Sequence, residues 1–154
     1  MLPELSTACS ILETMQSEMQ KILEEVGADG MNWTPPFKEV NSLFAIATHA
    51  NASQLWWIQE NLKGQKVKRD RPSEFTARDL NLKRLNNSIK DVQVLTREIL
   101  EPLKPEDLQK LRQVKEKSYT VEWIVLHVIE HTATHLGHMQ LTKQMWEQWL
   151  EGKS

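Results

Sequence analysis

Residues 123–144, WIVLHVIEHTATHLGHMQLTKQ, are the most informative stretch of this 154-residue chain. Ile124, Val128 and Met139, with Trp146 beyond them, recur at the three-and-four spacing of a helix with one buried stripe. Ser118 or Thr120 can cap this helix, which is predicted from about Val121 to Leu150. Four of the five histidines lie on it: His127, His131, His135 and His138.

A helix turns about 100° per residue, so each side chain has a predictable direction. With His131 at zero, His135 falls at about +40°, His138 at about −20° and His127 at about −40°. Ile124 falls at about +20°, Val128 and Trp146 at about +60°, and Met139 at about +80°. The histidines therefore share the face the helix should bury, with His131 and His135 expected deepest. Packing alone gives no reason for imidazoles there, because a buried polar group costs free energy unless it is paired. His127 and His138 are about 16 Å apart along the axis, too far for one ion. His131 and His135 sit one turn apart and can chelate an ion from adjacent turns. Core histidines bonded to hydroxyls and backbone are the competing reading.

Three more helical patterns precede this one. The first covers about Glu4–Val26, through Leu5, Leu12, Met15, Met19, Ile22 and Leu23, and Gly27 and Gly30 should stop it. The second covers about Val40–Leu62, with Asn41 or Ser42 at its start and Gly64 at its end. The third covers about Thr76–Leu100, ended by Pro102 and Pro105. Strand signal is almost absent, and Pro105–Val114 reads as a short turn or helix. Four amphipathic helices in one domain, residues 1–154, predict an all-α four-helix bundle, with the polar stretch 63–76 as a crossover.

His49 is the only histidine outside the last helix. Its helical neighbours Ala45, Ala52 and Ser53 are small, which leaves room for another group to approach. It alone, from a second helix, can complete a set of three. Competing metal patterns are missing: there is no H-E-x-x-H, no Glu-x-x-His, and no cysteine near the cluster.

Charge excludes some functions. The net charge is −2, which argues against a dedicated nucleic-acid binder. Residues 1–64 carry 3 basic and 8 acidic side chains, whereas residues 65–117 carry 14 and 9. The excess begins in KGQKVKRDR, residues 63–71, read either as a solvated loop or as a basic rim that attracts an anionic substrate. The N-terminus lacks a basic n-region and no window is long and apolar enough for a membrane span, so a cytoplasmic protein is expected. The single cysteine, Cys9, excludes an intrachain disulfide and reads as a small core residue. Trp33, Trp56, Trp57 and Tyr119 could line a pocket, but packing is the simpler reading for each.

The segments NSLFAIATHANASQLWWI, residues 41–58, and WIVLHVIEHTATHLGHMQLTKQ resemble the DinB/YfiT-like family of four-helix metalloenzymes. RDRPSEFTARDL, residues 69–80, resembles the family's segment after the second helix, and the likeness spans about residues 3–148. The resemblance implies one divalent metal on His49, His131 and His135. Three histidines suit zinc or nickel, and also iron or copper. It further implies a small-molecule substrate and a metal-dependent transferase that uses a low-molecular-weight thiol such as bacillithiol or mycothiol. Activation of a water is the hydrolytic variant. The resemblance also suggests a homodimer. The family motif commonly ends His-x-Gly-Gln, whereas this chain has His138 in the glutamine position. His138, His127 and Glu60 are candidates for proton transfer, while Glu130 points off the histidine face. The alternative is a non-catalytic bundle that binds a partner or ligand, with a structural metal or none.

Overall fold

The Thr120 hydroxyl accepts the Trp123 N–H at 3.1 Å and starts helix α5, Val121–Glu151, in a computed structural model that describes residues 1–153. Helix α1 is Pro3–Met31. Gly27 interrupts it as expected, with a non-helical φ of 65° and ψ of −170°, but a short helical stretch resumes beyond the kink and reaches Met31. The continuation places Gly30 against α5, where a Cβ would lie 2.7 Å from Trp146 Nε1. Helix α2 is Leu43–Leu55, capped by the Ser42 hydroxyl, which accepts the Ala45 N–H at 3.2 Å. It runs on into a π-helical stretch, Trp56–Leu62.

The expected loop after it contains a short helix, α3, Arg71–Glu74. Helix α4 is Lys83–Leu100, and so begins later than Thr76. The Asp79 carboxylate accepts the N–H groups of Leu80 and Asn81, and Asn81 accepts that of Lys83. Such local bonds offer the backbone an alternative to the helix. Leu80, inside the span expected to be helical, is 79% exposed. A 3₁₀ turn, Pro105–Asp107, then leads to an antiparallel hairpin that the sequence reading lacks: β1, Leu111–Val114, and β2, Lys117–Thr120.

The long-range pairs define the topology. Glu13 meets Arg97 and Gln20 meets Asn86, so α1 and α4 run antiparallel. Asn51 meets Ser88 and Gln54 meets Thr96, so α2 and α4 run parallel. Trp57 meets His127 and His49 meets His135, so α2 and α5 run antiparallel. Two parallel helices joined in sequence need a connection that returns along the bundle. Residues 63–82 are that crossover, and on the way they pass the histidines.

The core is mainly two apolar clusters. One holds Leu12, Ile58, Leu100, Val121 and Ile124. The other holds Leu23, Met31, Leu43, Ile89 and Met139. A chain of hydrogen bonds crosses the bundle: Gln93 to Gln16, Gln16 to Gln54, and Gln54 to Thr96, each 3.0 Å. Among the described residues, no helix is long and apolar enough to cross a membrane.

Candidate metal centre

The antiparallel pair α2 and α5 brings His49 to His131 and His135. One ligand nitrogen from each lies within 4.8 Å of the other two. Nε2 of His131 and Nε2 of His135 are 3.3 Å apart. A tetrahedral ion with metal–nitrogen bonds of about 2.0–2.1 Å separates two ligand nitrogens by about 3.3 Å. The donor set therefore fits a divalent transition metal in chemistry, and the His131–His135 pair fits it in spacing as well.

The histidines are not the deepest residues of α5. Its buried line follows Val121, Ile124, Val128, Thr132, Met139, Thr142 and Trp146. Most of these residues are centred at about +60° to +80° from His131. His131 and His135 flank this line and are half-buried, and His138 is exposed. The flank faces α2 and the crossover, which is why it forms a cleft and not core.

His49 is buried, and its orientation is fixed from the crossover. Its Nδ1 lies 2.7 Å from Glu74 Oε2. Glu74 is itself buried and accepts two bonds from Arg69, 2.6 Å from Nε and 3.0 Å from Nη2. Burial alone would raise the Glu74 pKa, but the Arg69 and His49 hydrogen bonds outweigh it and hold the carboxyl below its ordinary range. A carboxylate is an acceptor only, so Nδ1 of His49 carries the proton and donates, which leaves Nε2 with its lone pair. A carboxylate behind a histidine is the usual support for a metal ligand. Phe75 stacks on the His49 ring, with centroids 4.5 Å apart.

All three imidazoles favour the neutral form that metal binding requires. Burial pushes His49 down, and the bond to Glu74 restores it only in part. Burial first, then the charges of neighbouring histidines, push His131 and His135 down to about 4. His135 Nδ1 is buried without a hydrogen-bond partner among the described residues.

The other candidates are placed differently. His127 is stacked on Trp123 and edge-on to Trp57, with centroids 4.8 Å away in both cases, and Tyr119 stacks on the far face of Trp123. Its Nδ1 is 3.2 Å from Glu130. His138 lies beside His135, with centroids 5.7 Å apart. The Glu60 carboxylate accepts the Val67 N–H at 2.9 Å and thus ties down the start of the crossover. Trp56 and Trp57 line a cleft of about 380 Å³ beside His49 and His131. Trp33 sits with Trp146 and Trp149 at the other end of α5. Cys9 is buried, and burial raises its thiol pKa, as an inert core thiol requires.

The sequence reading missed Glu74, Arg69 and Phe75. One signal was available: Asp70 caps Ser73 N–H at 3.3 Å, and Pro72 sits in the first turn, a helix-start pattern inside the supposed loop.

No curated protein matches the chain in sequence. Among solved structures, a conserved protein from Enterococcus faecalis superposes with a TM-score of 0.69 at 16% identity, covering 94% of this chain and 98% of its own. A DinB-like protein from Bacillus subtilis gives 0.65 at 18% identity, covering 90% of each chain. These likenesses show a shared mostly helical fold. The sequence model of the mycothiol-S-transferase family matches residues 9–148, a span that contains all three converging histidines, the crossover and the hairpin. On that match, the chain belongs to the mycothiol-S-transferase family.

Proposed function

We propose that this protein is a metal-dependent S-transferase that holds one divalent ion on His49, His131 and His135 and acts on a low-molecular-weight thiol. The observation that carries this reading is the convergence of three neutral imidazoles, one of them oriented by a buried carboxylate. A divalent ion held there by neutral ligands would lower the pKa of a thiol, or of a water, at its open position. Zinc and nickel suit the donor set best.

The chain's own groups have separate tasks. Glu74 keeps Nε2 of His49 aimed at the other two ligands, and Arg69 keeps Glu74 ionised. His127, held between aromatic rings, and His138, at the opposite side of the trio, are the proton carriers nearest to the ligands. A purely structural metal is the second reading. Structural sites are closed on all sides. Here open clefts border His131 and His135, which favours a reactive site.

Cobalt-substituted protein tests the reading. Its visible bands should shift when a small thiol is added, and His135→Ala should abolish the bands. Bands that ignore saturating thiol, with no thioether product by mass spectrometry, would support the structural metal instead.

A further inference from the structure

The three histidines stand between two clefts of opposite character. On the His131 side, the cleft of about 380 Å³ is lined by Trp56, Trp57, Arg69, Arg71 and Lys115 and by no acidic side chain. Arg69 is committed to Glu74. Arg71 lies over the Phe75 ring and Lys115 over the Trp56 ring, and neither has an acidic partner among the described residues. Two unpaired cations above aromatic faces suit an anion that also has some apolar surface.

On the His135 side, a cleft of about 330 Å³ is lined mainly by Phe37, Val40, Ile46, Phe75, Leu141 and Met145, with His138 at its edge. Its only formally charged lining residue is Glu39. This lining suits an uncharged apolar molecule better than a carboxylate, which would meet Glu39 and no lysine or arginine.

Both clefts are rimmed by unusual backbone. Lys115 and Glu39 have φ 56° and 59°, and they are the only non-glycine residues with positive φ among the described residues. One borders each cleft. At Lys115 the tight turn between β1 and β2 sets this conformation and holds the side chain at the cleft rim.

We infer that the two clefts are the two substrate subsites of the proposed transferase: Arg71 and Lys115 bind the carboxylate of an anionic thiol, and the Phe37–Val40–Leu141 cleft binds an uncharged apolar electrophile. This inference rests on the transferase reading above. In the step served, a sulfur lone pair forms the S–C bond. The carbon–heteroatom pair stays with the heteroatom, which takes up the proton that sulfur releases, so thiol and electrophile balance without a further reactant. The two components approach the trio from opposite sides, one past His131 and the other past His135.

Equilibrium binding tests the division without turnover. The anion probe is S-methylmercaptosuccinate, a dianion without a free thiol, read by quenching of tryptophan fluorescence. Its neutral dimethyl ester is the control. The apolar probe is N-phenyl-1-naphthylamine, read by its own emission. Lys115→Gln with Arg71→Gln should weaken the dianion at least tenfold and leave the naphthylamine within twofold. Val40→Asp should do the reverse, and Leu141→Asp serves as a second rim variant should Val40→Asp fail to fold. The ester should bind at least tenfold more weakly than the dianion. Competition between the two probes, equal binding of acid and ester, or variants that affect both probes alike would overturn the division. Metal content of the same samples, read separately, distinguishes a failed division from a failed metal site.

Discussion

Glu74 and His49 are separated by 25 residues in sequence, yet Glu74 Oε2 and His49 Nδ1 lie 2.7 Å apart. This contact links the crossover to the proposed metal ligands and makes their geometry depend on a residue outside the proposed ligand set. Glu74→Gln removes the charge and keeps the shape. It should lower metal affinity by about 10–100-fold, the usual effect of losing such a support. Competition with a chromophoric chelator measures it. Affinity within twofold of wild type would show that His49 needs no orienting group.

Acid should destabilise the metal-free protein in a defined window. His131 and His135 are lowered from 6.5 to about 4 in the folded chain. Between these values the unfolded chain binds more protons, so stability falls as pH drops from about 6.5 to about 4. Above about 6.5 these two groups contribute no pH dependence. Thermal midpoints measured across the range should show this slope, and the His131→Ala, His135→Ala double variant should flatten it.

The glutamine chain through the bundle gives a stability prediction far from the clefts. Gln54→Leu deprives Gln16 Nε2 of its acceptor and Thr96 Oγ1 of a donor. Gln16 and Thr96 are both buried. A buried polar group left unpaired costs about 1–3 kcal/mol. Urea unfolding should show a loss of that order, with metal content unchanged.

Gly30→Ala tests the close approach of α1 to α5. The new Cβ would meet Val26 Cβ at 2.5 Å and Trp146 Nε1 at 2.7 Å. Overpacking of this kind costs about 1–3 kcal/mol. Because Gly30 is in helical conformation, the same change without the clash would be stabilising, so the sign of the measured change decides between contact and backbone preference.

The long helices were legible because burial of one stripe writes a period into sequence, and the convergence of His49 with His131 and His135 was legible because two helices carry them. Three features were not. Glu74 sits in a run of charges, and nothing local distinguishes it from Asp70 or Arg71; only the tertiary fold buries it. The hairpin 111–120 is short, and its turn uses Lys115 at φ 56° where glycine or asparagine would have marked it. The angular reading placed the histidines deepest in the face. Val125 and Thr132, buried at about +120° and +100° from His131, shift the true centre of that face away from them.

Metal analysis of the purified 154-residue chain tests the central claim most directly. After loading with zinc or nickel and gel filtration, wild type should retain about one ion per chain, and His131→Ala about a tenth of that or less. Substoichiometric metal in wild type that His131→Ala does not reduce further would contradict the account.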